Sequence, residues 1–237
     1  NNLVHRAAEI VLKRAGQKIG LEIDLHKQIP MAAGLGGGSS DAAAAIFGIV
    51  RLLDLGWSLD DMAKLGSQLG SDVAFFFSAP CALVCEWGQV VFPLSISGDR
   101  WMILVNPGFP IETKGAYERV SAVRGTVSPI SPPLEAIQQR QAATWNELVE
   151  LMENDFESVL FPVFPKLAKL KTDLLAMGAQ AALLSGSGAT MIGIFPDEKT
   201  AIQAKMALSG ESGSRVIVAK SEPTSHWIST PRPLSLS

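Results

Sequence analysis

Apolar positions at the start of the chain recur at helical spacing. Leu3, Val4, Ala7, Ala8, Val11 and Leu12 share one face, with His5, Arg6, Glu9 and Lys13 opposite, and Gly16 ends the pattern. From residue 20 to residue 27 the period becomes two: Leu21, Ile23 and Leu25 alternate with Glu22, Asp24 and His26. That alternation predicts a half-buried strand, closed by Pro30. A glycine-rich loop over residues 31–38 follows, and Ser39 or Ser40 is placed to cap an alanine-rich helix running to about Leu53. Gly56 stops that helix. Ser58 and Asp61 have the spacing of a capping box, which predicts another helix ending near Leu69 and Gly70. Residues 81–86 and 89–94 read as a hairpin turned at Trp87 and Gly88.

Residues 95–99 are polar and contain a glycine, which marks a domain boundary. The domains expected are 1–97 and 98–222, with a polar tail over 223–237. Beyond the boundary, residues 101–105 predict a short buried strand ended by Asn106, Pro107 and Gly108. Residues 126–133 are rich in Ser and Pro and read as a loop. Helical patterns cover about 134–141, 146–153 and 165–177, the last stopped by Gly178. Strand 181–184, strand 191–195, helix 198–208 and strand 215–219 complete the chain. The second half therefore runs strand, helices, strand, strand, helix, strand. That is the order of a ferredoxin-like split unit, and the fold class expected is α+β with two lobes.

Composition narrows the classes. The 237 residues, 47% of them hydrophobic and 18% charged, are enough for one large or two small packed domains. A net charge of −3 lacks the basic excess of a general nucleic-acid binder, so no nucleic-acid partner is expected. The longest apolar stretches, 42–50 and 73–87, are too short or too interrupted to span a bilayer, and residues 1–14 are amphipathic rather than signal-like. No membrane partner is expected. Two cysteines, Cys81 and Cys85, are too few for a disulfide scaffold and are expected to pack. A cytoplasmic protein is the simplest reading. His5 and His226 are expected at the surface, and Trp57, Trp87, Trp101 and Trp145 as packing anchors.

The segment Pro30, Met31, Ala32, Ala33, Gly34, Leu35, Gly36, Gly37, Gly38, Ser39, Ser40, Asp41 carries the chemistry. Its glycines allow the backbone to turn N–H groups toward a ligand. The helix that follows adds roughly half a positive charge at its N-terminus. Phosphate is the natural guest, with Ser39 and Ser40 available as hydroxyl donors or as contacts to a phosphate-bound Mg2+. Neither a Gly-Lys-Ser/Thr ending nor the spacing of a dinucleotide fingerprint is present.

In its extended form, Gly34 to Asp41, this segment resembles the second signature motif of the GHMP kinases. Leu69-Gly70-Ser71-Asp72-Val73-Ala74-Phe75-Phe76 and Leu184-Ser185-Gly186-Ser187-Gly188-Ala189-Thr190 resemble two further segments of that superfamily, in family order. The likeness runs from Asn1 to about Ala219 and leans toward the branch that phosphorylates the 2-hydroxyl of 4-diphosphocytidyl-2-C-methyl-D-erythritol in non-mevalonate isoprenoid synthesis. It implies a ribosomal-protein-S5-like N-terminal lobe, a ferredoxin-like C-terminal lobe, ATP and Mg2+ as cofactors, and a small cytidine-diphosphate substrate. Acceptors of the homoserine or mevalonate type, or a non-catalytic nucleotide-binding protein of this fold, are the alternatives.

The resemblance also implies roles. Asp72, beside the apolar run from Val73 to Phe77, is expected to be held dry and to act as the general base; read alone it is as well a helix cap. Residues 30–41 are expected to hold ATP, with Lys27 and Asn2 on the adenine side. Lys27 is otherwise a solvated strand end, and Asn2 an N-cap. Ser185, Gly186, Ser187 and Gly188 are expected to brace the glycine loop and close on the substrate phosphates, or else to form a plain hairpin turn. Tyr117, the single tyrosine, is expected to stack on cytosine, with Thr113 supplying a hydrogen bond. No residue is expected to form a protein metal site. The family's Ala-Lys-Leu-Asn-type strand and Asp-Gly-Tyr-His-type turn match nothing in the chain, which opens Asn1-Asn2-Leu3. Those elements are expected upstream, as in an N-terminally truncated chain, with the activity of the shortened form left open.

Overall fold

The computed structural model describes residues 2–78, 80–85, 90–123, 130–209 and 213–222. Helix α1, Leu3–Arg14, starts where the Asn2 side chain accepts a hydrogen bond from the Val4 N–H, and carries Lys13 and Arg14 in its last turn. Both features suit the helix dipole. Its buried stripe of Val4, Ala7 and Val11 packs on α2, Gly37–Leu52, through the fully buried Ala42, Ala43 and Ile46. Alanines at the contact let the two helices approach closely. Helix α3, Leu59–Gly66, opens on the Ser58–Asp61 capping box. Helix α4, Ser71–Phe75, seals this first core with Val73, and Phe77 just beyond it adds to the seal. Trp57 is partly buried against the same core, with the Arg14 guanidinium over its ring.

Residues 20–27 form no strand, a correction to the alternation read from the sequence. Leu21 packs on the first core, while Ile23 is exposed. The reason is physical: a strand exists only through hydrogen bonds to a neighbour. No strand among the described residues pairs with this segment.

The second half is built on a four-stranded antiparallel sheet. Strands β1, Ala82–Cys85, and β2, Val90–Pro93, form the expected hairpin, with its turn outside the described residues. Strand β3, Ser95–Ser97, pairs in parallel with β5, Ala142–Thr144. Strand β4, Trp101–Asn106, lies at the centre of the main sheet. It joins β6, Ala181–Leu184, β7, Met191–Phe195, and β8, Arg215–Lys220, in the order β6-β7-β4-β8. That is the strand order of a ferredoxin-like unit.

Helices α9, Pro165–Ala176, and α10, Glu198–Leu208, cover the sheet with Leu167, Leu170, Leu174, Ala201, Ala204 and Leu208. Gly178, at φ +96°, follows α9 as the residue that ends it. Helices α5, Thr113–Val123, α6, Pro132–Arg140, α7, Trp145–Leu151, and α8, Phe156–Leu160, with β5, precede α9 in the crossover between β4 and β6. Helix α5 is not legible from the pattern, because only Ala116 and Val120 are buried on it. Tyr117 therefore stands on a helix rather than a loop.

Cys81 packs beside Leu94, Ile137 and Ala143, and burial pushes its thiol pKa up. Trp145 donates its indole N–H to the Gly98 carbonyl, and Trp101 packs on the main core. His226, Trp87, residues 126–129 and the tail lie outside the described residues. No described helix is long and apolar enough to cross a membrane.

Candidate active site

The glycine loop is shaped by positive φ at alternate residues: Ala32 (+52°), Gly34 (+74°) and Gly36 (+63°). Gly36 is itself the N-cap of α2, and no side chain caps that helix end. This corrects the expectation that Ser39 or Ser40 caps it. Both serines lie inside the helix, and the Ser40 hydroxyl donates to the Gly37 carbonyl. The first-turn N–H groups of α2 thus carry no side-chain acceptor, which leaves a donor set suited to an anion. Two glycines are required by contact as well. A Cβ on Gly37 would lie 2.9 Å from Ile29, and one on Gly34 would lie 2.2 Å from the Ser185 carbonyl oxygen.

That second approach joins the two halves of the molecule. The Ser185 hydroxyl donates to the Gly34 carbonyl at 2.8 Å, and the Thr190 N–H donates to the Ala33 carbonyl at 3.2 Å. Thr190 is fully buried. Farther along, Arg215 donates to the Gln28 carbonyl. The turn at 185–188 is closed by the Gly188 N–H on the Ser185 carbonyl.

Between the halves lies a cavity of about 410 Å³. Its wall brings together Lys27, residues 30–39, Asp72, Thr113, Tyr117, Gly186 and Ser187. These come from both ends of the sequence, and all belong to the expected site. The volume is that of a small-molecule pocket, which is typically about 300–1,000 Å³. Thr113 accepts a hydrogen bond from the Ser187 hydroxyl at 3.2 Å. Tyr117 is 58% exposed, and its ring stands perpendicular to Phe156 with centroids 4.9 Å apart. The phenol ring is thus braced by Phe156 while more than half of the residue stays exposed.

Other expected residues are set differently. Asp72 lines the cavity from the first turn of α4 but is exposed, rather than held dry by the apolar run beside it. The run points the other way: Val73, Ala74 and Phe77 are buried in the core and leave the carboxylate on the solvent side. Lys27 is paired with Asp41 through its Nζ on Oδ2, so the two charges flank the start of α2 as an ion pair. Asn2 caps α1 and borders a separate groove with His5, Leu21, Ile23 and Leu25. Ser185 and Gly188 act on the loop from behind the cavity wall.

Some contributors carry no sequence signal. Leu3 and Ile29 line the cavity as apolar surface. Asn154 and Glu157 hold the 184–186 backbone from a segment some thirty residues away in the chain. Among the described residues, no group of three His, Cys, Asp or Glu side chains is placed to hold a metal ion.

Comparisons with known proteins agree with this geometry. Residues 2–79 match the model of the GHMP kinases N terminal domain, and residues 134–214 that of the GHMP kinases C terminal. The 4-diphosphocytidyl-2-C-methyl-D-erythritol kinase of Syntrophotalea carbinolica is 38% identical over 219 residues, covering 92% of this chain and 76% of that protein. The kinase of the same name from Citrifermentans bemidjiense is 37% identical over 212 residues, covering 90% of this chain and 73% of its own length. A crystal structure of 4-(cytidine 5'-diphospho)-2C-methyl-D-erythritol kinase superposes with a TM-score of 0.71 at 30% identity, over 92% of this chain and 78% of that one. A homoserine kinase from Cytophaga hutchinsonii superposes with a TM-score of 0.73 at 18% identity, over 94% and 77%, which shows the shared fold alone. On these matches, and on a fold that sets a glycine loop opposite a ferredoxin-like unit, the chain belongs to the GHMP kinases, within the 4-diphosphocytidyl-2-C-methyl-D-erythritol kinase family of phosphotransferases.

Proposed function

We propose that the protein transfers the γ-phosphoryl group of ATP to the 2-hydroxyl of 4-diphosphocytidyl-2-C-methyl-D-erythritol. The observation that carries this reading is a cavity lined by an uncapped glycine-loop helix, a carboxylate and an exposed tyrosine. In this reading, the backbone N–H groups of residues 34–39 bind the ATP phosphates, and the α2 dipole offsets part of their charge. Lys27, paired with Asp41 at the start of α2 and lining the cavity, is in this reading a contact of the nucleotide. Tyr117, exposed at the cavity wall, stacks on the cytosine ring, and Thr113 with Ser187 offers hydroxyls to the acceptor.

Asp72 accepts the proton of the attacking hydroxyl. The acceptor oxygen forms a bond to the γ-phosphorus, the bond from that phosphorus to the β–γ bridging oxygen breaks, and ADP leaves with the bridging oxygen. A Mg2+ ion would neutralise phosphate charge. With no multi-carboxylate site among the described residues, it would be held mainly by the phosphates, with the Ser39 hydroxyl as a contact from the chain.

The test is ADP release by the intact protein, followed with the cytidine acceptor, homoserine and mevalonate in parallel. A new phosphate monoester on the cytidine acceptor is expected, with the other two near background. Phosphorylation of either rival in preference, or ADP release indifferent to acceptor, defeats the reading.

A further inference from the structure

The side chain of Asn154 lies in the connection between α7 and α8 and uses both of its amide N–H groups on one turn. It donates to the Leu184 carbonyl at 2.7 Å and to the Gly186 carbonyl at 2.8 Å. Its own carbonyl accepts from the Phe156 N–H at 2.9 Å, at the start of α8. Glu157, one turn on, accepts from the Leu184 N–H at 2.8 Å and is ion-paired with Lys171.

Strand β6 is an edge strand, and the N–H and C=O of its last residue point away from β7. Asn154 and Glu157 take the place a further strand would fill. The bond to Gly186 is different in kind. Gly186 belongs to no strand, so that bond serves only the shape of the turn.

This turn is part of the cavity wall, through Gly186 and Ser187, and Ser187 reaches Thr113. Phe156, whose N–H rests on Asn154, is the ring that supports Tyr117. One side chain therefore ties the hydroxyl-bearing turn to the support of the exposed tyrosine. The glycine loop is held to the same turn by other bonds, Ser185 to Gly34 and Thr190 to Ala33.

We infer that Asn154 is a positioning residue for the acceptor: it sets the distance between the Gly186–Ser187 turn and the Tyr117 ring, and so selects an acceptor of matching length. The inference rests on the reaction proposed above.

The experiment uses the intact protein and its Asn154→Asp and Asn154→Ala variants. Asn154→Asp keeps an oxygen for the Phe156 N–H but turns an anionic oxygen toward two carbonyls. Both variants are expected to raise the acceptor KM about tenfold, the scale of one to two lost hydrogen bonds, with the ATP KM changed by less than about twofold. Cytidine diphosphate, titrated by calorimetry as a probe needing no turnover, should bind more weakly in both by a similar factor. An Asn154→Asp protein with wild-type acceptor KM and wild-type cytidine diphosphate affinity overturns the inference, since the residue would then be a cap on α8 alone. An equal rise in the ATP KM overturns it too, as general loosening of the site. A wild-type protein that binds cytidine diphosphate but gives no acceptor-dependent ADP defeats the reaction instead, and the calorimetric comparison still decides Asn154. A wild-type protein that does not bind cytidine diphosphate defeats both. Should Asn154→Ala fail to fold, Asn154→Asp carries the test alone.

Discussion

The two walls of the cavity are made of different material. On the side of the glycine loop, the polar groups at the helix start are backbone N–H groups, and over residues 36–39 side chains are small or absent. On the far side, the polar groups come from side chains: Thr113, Ser187 and the Tyr117 ring, each held by another side chain. A backbone wall binds what every nucleotide shares, the phosphates, and tolerates little change because its atoms cannot be swapped. A side-chain wall reads what differs between acceptors and is free to vary.

The largest effect is expected at the carboxylate between the walls. Asp72→Asn should lower turnover by on the order of 10²–10⁴-fold, the usual contribution of a positioned base, with ATP binding unchanged by calorimetry. Near-normal turnover would remove Asp72 from the chemistry. Next comes the contact between the walls. Gly34→Ala forces a Cβ against the Ser185 carbonyl at a φ of +74°. It should cost about 1–3 kcal/mol of stability by thermal melting and raise the KM of both substrates, because it displaces the loop and the turn together. A change confined to ATP would mean the walls move independently.

Tyr117→Ala should sharpen the contrast. The acceptor KM is expected to rise roughly tenfold or more, on the scale of about 1–3 kcal/mol for stacking a base on an aromatic ring, with the ATP KM near wild type. Equal losses for both substrates would make Tyr117 a packing residue.

The smallest effect compares the two capping boxes, one in each half. Asp61 has its pKa lowered by hydrogen bonds from the Ser58 side chain and backbone, and Glu147 by the Thr144 N–H and then by Arg140. A carboxyl lowered on folding stabilises fully above its unfolded pKa, and that stability is lost as pH falls through the folded value. The melting temperature should therefore fall below about pH 4.5. An Asp61→Asn, Glu147→Gln double variant should lose a few degrees at neutral pH and show a shallower acid slope. An unchanged slope would show that neither cap titrates.

Much of this arrangement was legible in the chain. The first helix, the Ser58–Asp61 box and the stop at Gly178 are set by neighbours within one or two turns and appear as read, and the strand read at 101–105 runs one residue further, to Asn106. The glycine loop was legible for the same reason. Residues 20–27 were misread because their alternation is as regular as that of a paired strand, and pairing is not a local property. The parallel pair β3 and β5 joins residues some forty-five positions apart, beyond any periodicity. Asn154 is one asparagine in a short connection, and only its distances to Leu184 and Gly186 single it out.

By itself, the sequence determined the place of most helices, which residues are apolar enough for the two cores, and that a glycine-rich segment opens α2. Short-range hydrogen bonding and burial decide those things, and their period is written in the chain. Only the tertiary structure decided that Ser185 reaches Gly34, that Asp72 faces solvent while Val73 faces the core, and that Tyr117 stands across from the glycine loop. Those relations depend on how a four-stranded sheet packs against a helical layer, which no stretch of neighbouring residues specifies.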